Sequence, residues 1–137
     1  MSGYRELNIY KESHRLGVGI HKFSLKLPKY ELYESGAQIR RASKSISANI
    51  VEGYGRRRYV ADYVRFLTYA QSSCDETHEW ITYIHELHRE LSDEALQLLK
   101  LADTLGRQIN VFIQSIESRR SHSRTSVPSP QRPESSP

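Results

Sequence analysis

The chain has a single cysteine, Cys74, among its 137 residues. An intrachain disulfide framework is therefore excluded, and the composition points to a reducing cytoplasm. Proline is nearly absent from the body: of five, four follow residue 127, and only Pro28 lies earlier. No apolar run approaches the ~20 residues that a membrane-spanning helix needs. The opening MSGYRELNIYKESHR has no apolar signal-peptide core. No segment alternates polar and apolar residues as a half-buried strand does. A disulfide scaffold, a helical membrane protein and a sheet are thereby set aside.

What is present is helical periodicity. Over residues 5–27, Ile9, Leu16, Ile20, Phe23 and Leu27 form one stripe, and Leu7, Tyr10, Val18 and Leu25 form another on the opposite side. Gly17 and Gly19 weaken this helix, and Pro28 ends it. A second helix is expected over Tyr33–Glu52, with Ile39, Ala42, Ile46 and Ile50 inward and Gly53 and Gly55 closing it. The third is long, Tyr59–Glu90, with an apolar arc broadened by Phe66, Tyr69, Trp80 and Leu87. The fourth starts at Ser92, a good N-cap, followed by Asp93 and Glu94. Short connections make neighbours antiparallel, so the expected fold is an all-α, up-down four-helix bundle over residues 1–118. From Arg119 the composition turns to Ser, Pro and Arg, and residues 119–137 read as a disordered tail. Apolar arcs wider than one stripe per helix predict self-association.

Charge is distributed unevenly. Residues 1–65 sum to +7, residues 66–118 to −6 and residues 119–137 to +3, for a total of +4. A basic half attracts phosphates, but it also suits the acidic half of a second subunit. Arg56, Arg57 and Arg58 occupy the connection after the second helix, bracketed by Tyr54 and Tyr59. Arg40 and Lys44 are placed on the outer face of that helix, and Lys22, Lys26 and Lys29 near the end of the first. Arginine beside aromatic rings suits phosphate contact and base stacking. The competing reading is a solvated charged face.

Arg41, Ser45, Asn49 and Glu52 fall on one side of the second helix. With no nucleophile–base pair among them, they read as a structural ladder of polar contacts to neighbouring helices. His78, His85 and His88 lie inward on the third helix, but the fourth offers no matching ligand pair, so neither metal nor other cofactor is expected. Arg15 and His21 have the loose spacing of HEPN-type ribonucleases, yet six residues on a helix separate their faces.

The segment QIRRASKSISANIVEGYGR, Gln38 to Arg56, resembles the signature of the bacterial ribosomal-RNA intervening-sequence proteins. The similarity extends to LNIYKES in the first helix and FLTYAQSSCDE, Phe66 to Glu76, in the third, covering about residues 6–117. Arg41, Ser45, Asn49, Glu52 and Gly53 match its core motif, and Ser73 and Glu76 that of the third helix. Ser35, Ser72 and Thr77 depart from the usual leucine, glycine and leucine. The resemblance implies an up-down bundle assembling into a ring-like homopentamer, with no known catalytic activity. Related accessory proteins of diversity-generating retroelements bind nucleic acid and work with a reverse transcriptase. The expectation is a non-enzymatic, oligomeric protein that contacts RNA or DNA through Lys22, Lys26, Arg40, Lys44 and Arg56–Arg58. Its alternative is a purely structural scaffold.

Overall fold

The computed structural model describes residues 3–126. After a 3-10 turn at Tyr4–Glu6, helix α1 spans Asn8–Ser24, the one-turn α2 Lys29–Leu32, α3 Ser35–Gly55, α4 Val60–Leu87 and α5 Ser92–Ser126; a second 3-10 turn, Arg89–Leu91, precedes α5. Among the described residues there is no strand. Disorder was expected over residues 119–137; residues 119–126 instead continue α5, and residues 127–137 lie outside the described residues.

Each long helix buries the stripe that its 3.6-residue period places inward. Ile20, Phe23, Ile39, Ile46, Ile50, Leu67, Ile81, Ile84, Leu105 and Ile109 are essentially inaccessible to solvent. Each such side chain contributes about 1.5–3 kcal/mol by leaving water. Contacts between helices fix their directions. Gly17 of α1 faces Ser43 of α3, whereas Ser24, further along α1, faces Arg40, earlier on α3. Ser45 meets Ser73 of α4, and Gly53 meets Tyr63. Gln71 reaches Gly106 of α5, and His85 reaches Ser92. Gly19 of α1 faces Leu98 of α5, and Lys26, just past the end of α1, pairs with Glu94 near the start of α5. In every pair one number rises as the other falls, so α1, α3, α4 and α5 run alternately up and down around one core.

Of the boundaries that differ from expectation, three have a clear physical cause. Helix α1 ends at Ser24 because the residues before Pro28 tighten into i→i−3 bonds: Leu25 N–H to Lys22 O at 3.3 Å, Lys26 to Phe23 at 3.0 Å and Leu27 to Ser24 at 3.2 Å. Ser92 is the first residue of α5 rather than its cap; its backbone is already helical and its hydroxyl lies 2.7 Å from His85 Nδ1. Gly53 does not stop α3, and no described glycine lies in the left-handed φ region. It is buried inside the last turns, where an added Cβ would stand 3.2 Å from Phe66 Cβ and 3.3 Å from Tyr63 Cδ1. Glycine is needed there for close approach, not for a left-handed turn.

Gly53→Val is accordingly expected to lower unfolding stability by about 1–3 kcal/mol through overpacking, read as a lower urea midpoint. A midpoint equal to wild type would show that α3 and α4 separate there at no cost.

Candidate nucleic-acid interface

The polar ladder is built from fewer residues than the sequence offered. Ser73 Oγ donates to Ser45 Oγ across the α3–α4 interface at 3.0 Å. Asn49 Nδ2 donates to Ser45 O at 2.9 Å and lies 3.0 Å from Ser45 Oγ. Thr77, fully buried where the resemblance expects leucine, donates to Ser73 O at 2.7 Å, so its hydroxyl is satisfied. Arg41, Glu52 and Glu76 are exposed and outside this chain of bonds. Arg41 reaches only Gln38, at 3.5 Å, and Glu52 faces Arg56 at 3.8 Å. They share the ladder's side of the helix but stay at its wet edge, since burying an unpaired charge is costly.

The seven expected basic contacts divide into different environments. Arg40 is half-buried and not on an outer face: Nη1 donates to Ser24 Oγ and Nη2 to Leu32 O, each at 2.8 Å. Ser24 Oγ in turn donates to His21 O at 2.7 Å. The guanidinium thus ties α1 and α2 to α3, and its fork geometry is what allows one side chain to reach both. Gly36 makes room for it, because a Cβ there would lie 2.9 Å from Arg40 Nη1. Lys26 is held by Glu94 at 2.9 Å. Lys22 and Lys44 border a hollow between α1 and α3.

Arg56, Arg57 and Arg58 stand exposed at the α3–α4 corner. The turn is set by Arg56 N–H to Gly53 O at 2.9 Å and Tyr59 N–H to Arg56 O at 2.8 Å. The Arg57 guanidinium lies 4.0 Å above the Tyr54 ring, with Nη1 donating to Tyr54 O at 2.9 Å. Arg56 lies 4.9 Å over Phe66 and Arg65 5.3 Å from the same ring, which meets Tyr69 edge-on at 5.5 Å. Glu52 and Asp62 offset part of the charge, at 3.8 and 3.7 Å from Arg56. Arg58 makes no side-chain bond to the described residues. Arg119, exposed near the end of α5, exerts its positive field on Tyr63 together with Arg57, which places it at this end of the bundle. Arg65, Phe66 and Arg119 were not among the residues that the sequence reading assigned to this corner. The antiparallel register that brings residues near 53, 63 and 112 together is the signal that locates them.

The other candidate groups of the sequence stay apart among the described residues. Arg15 pairs with Glu12 at 3.4 Å and borders α5, while His21 borders α3, so the two do not meet. His78 pairs with Asp103 at 3.0 Å in a cleft of about 550 Å³ between α4 and α5, and the buried His88 lies 3.8 Å from Glu90. No group of potential metal ligands forms among the described residues. Burial, with Asp75 and Asp103 nearby, pushes the Cys74 thiol up to about 12, so it stays protonated and is a poor nucleophile. Burial likewise raises the Tyr63 hydroxyl to about 12.

Two outcomes follow. Cys74 and Tyr63 hold their protons more tightly folded than unfolded, where they titrate near 9.0 and 10.0. Their contribution to stability is fully present below about pH 9 and is lost as pH rises toward 12. Urea midpoints should therefore fall over that window, and the fall should be shallower in Cys74→Ala and Tyr63→Phe. Arg40→Ala strands Leu32 O and removes a charged donor, so a loss of about 1.5–3 kcal/mol is expected. Arg40→Lys should restore only part of it. Full recovery by lysine would show that the forked reach is unimportant.

No described helix is long and apolar enough to cross a membrane. A comparison with curated proteins finds no match. The family profile described as 23S rRNA-intervening sequence protein matches residues 5–111, which take in α1, α3, α4, the first part of α5, the serine ladder and Arg56–Arg58. The chain belongs to the 23S rRNA-intervening sequence protein family.

Proposed function

We propose that this bundle is a non-enzymatic, cytoplasmic, homo-oligomeric accessory protein that contacts RNA or DNA at the α3–α4 corner. The observation that carries the reading is the exposed run Arg56–Arg58 set among Tyr54, Tyr59 and Phe66. Guanidinium groups supply phosphate contact, and exposed rings such as Tyr59 supply stacking surface for unpaired bases. Arg119 enlarges the positive field of that end. The family's name, tied to ribosomal RNA, is compatible with an RNA partner. The accessory role beside a reverse transcriptase or similar enzyme rests on resemblance alone.

Self-association is supported by exposed apolar side chains on two neighbouring helices: Tyr69, Tyr83 and Leu87 on α4, and Leu96, Leu101 and Val111 on α5. A ring-like homopentamer is the form the resemblance suggests. The same surface favours the scaffold reading, in which charge serves assembly only.

Both readings meet in one experiment. RNA affinity is measured against salt for wild type and for Arg56→Ala/Arg57→Ala/Arg58→Ala, with mass in solution followed in parallel. For single strands, losing three phosphate contacts should reduce the slope of log K on log salt by about 2. Identical affinity and slope would remove the corner from the interface. No RNA retention at low salt, with an oligomer that salt dissociates, would leave the scaffold.

A further inference from the structure

The hollow between α1 and α3 has no part in the arginine corner. Lys44 and the corner are separated by roughly 18 Å of helix. The hollow holds about 420 Å³, inside the range of roughly 300–1,000 Å³ of small-molecule sites. Gly17 is its thinnest wall. It lies against the Ser43 carbonyl of α3, 3.8 Å from where a Cβ would be, and contributes no side chain. The short Ser47 leaves the α3 side low, and Val18, 43% exposed, presents an apolar flank to solvent.

The edge of this hollow is cationic. Lys22 comes from α1 and Lys44 from α3, with the rings of His14 and His21 beside them. Among the described residues no aspartate or glutamate lines it. Neither lysine has a carboxylate partner among the described residues, whereas Lys26, one turn beyond Lys22, is held by Glu94. Two uncompensated ammonium groups flank an apolar surface. A bare phosphate would use only the charges, which water and salt screen at such an exposed site. A neutral apolar molecule would use only the wall. The ligand that uses both has one anionic head and a short apolar body.

We propose that this hollow binds a small amphipathic monocarboxylate, its carboxylate between Lys22 and Lys44 and its apolar body against Gly17 and Val18. The site is separate from the nucleic-acid corner and stands whether or not that corner binds RNA.

Octanoate is the probe, followed by equilibrium dialysis with the full chain; octylamine carries the same tail with opposite charge. Octanoate should be retained at about one per chain and octylamine should not. Equal concentrations of inorganic phosphate should leave octanoate bound. Lys22→Glu/Lys44→Glu should weaken octanoate by about tenfold or more, equivalent to about 1.4 kcal/mol. Both lysines are exposed, and Lys22→Gln/Lys44→Gln serves if the reversed pair fails to fold. The Arg56–Arg58 triple variant should bind octanoate as wild type does. Absence of octanoate retention, equal retention of octylamine, or octanoate affinity unchanged in the folded lysine variants would each overturn the site. So would a loss of RNA affinity in the lysine variants equal to that of the arginine variant, which would assign these lysines to the nucleic-acid surface.

Discussion

The close approach of α3 and α4 at Gly53 governs the end of the molecule where its exposed arginines gather. With no side chain at that position, the α3 backbone lies against Tyr63 and Phe66. The chain must then reverse direction within a few residues, and Arg56–Arg58 fill that reversal. The same contact brings the Phe66 ring under the Arg56 guanidinium. Further along the pair, Ser45 and Ser73 repeat the close approach with hydroxyls instead of glycine. Small groups at both places hold the two helices in one register, and the corner inherits its geometry from that register.

The helices were legible because apolar spacing is a local property. Ile39, Ala42, Ile46 and Ile50 declare a buried face without reference to any other segment, and all four are buried. The fates of polar side chains were not legible, because they depend on what stands opposite. Arg40 looks like an outward charge until Ser24 and Leu32 are placed beside it. Glu52 shares the ladder's side of α3, yet its carboxylate turns to Arg56 and water. Gly53 carries the usual mark of a helix end, and only the nearness of Tyr63 shows that it is a packing position. Ser92 has the chemistry of a cap, but His85 claims its hydroxyl.

The charge asymmetry of the sequence likewise becomes more local in three dimensions. Part of the basic excess is matched within the chain: Lys26 by Glu94, Arg15 by Glu12, Arg65 by Asp62. These exposed pairs add little stability, about 0–1 kcal/mol each, but they remove charge from any outward field. Two separate basic places survive, the arginine corner with its aromatic rings and the lysine-edged hollow with an apolar wall. One offers planar groups and the other paired ammonium heads, so they suit different chemistry although both are positive.

Helix α5 outlasts the bundle it closes. Its last described buried residue is Ile116, while the helix continues to Ser126, roughly 15 Å further along its axis. The first turn past Ile116, residues 117–120, is exposed, and a helical turn with no core behind it is marginal on its own. Its order depends on continuity with the anchored part, much as a plank projects from a deck. The projection leaves from the arginine end, and Arg119 and Arg120 ride at its root. The positive surface therefore has height as well as breadth, a step instead of a plane.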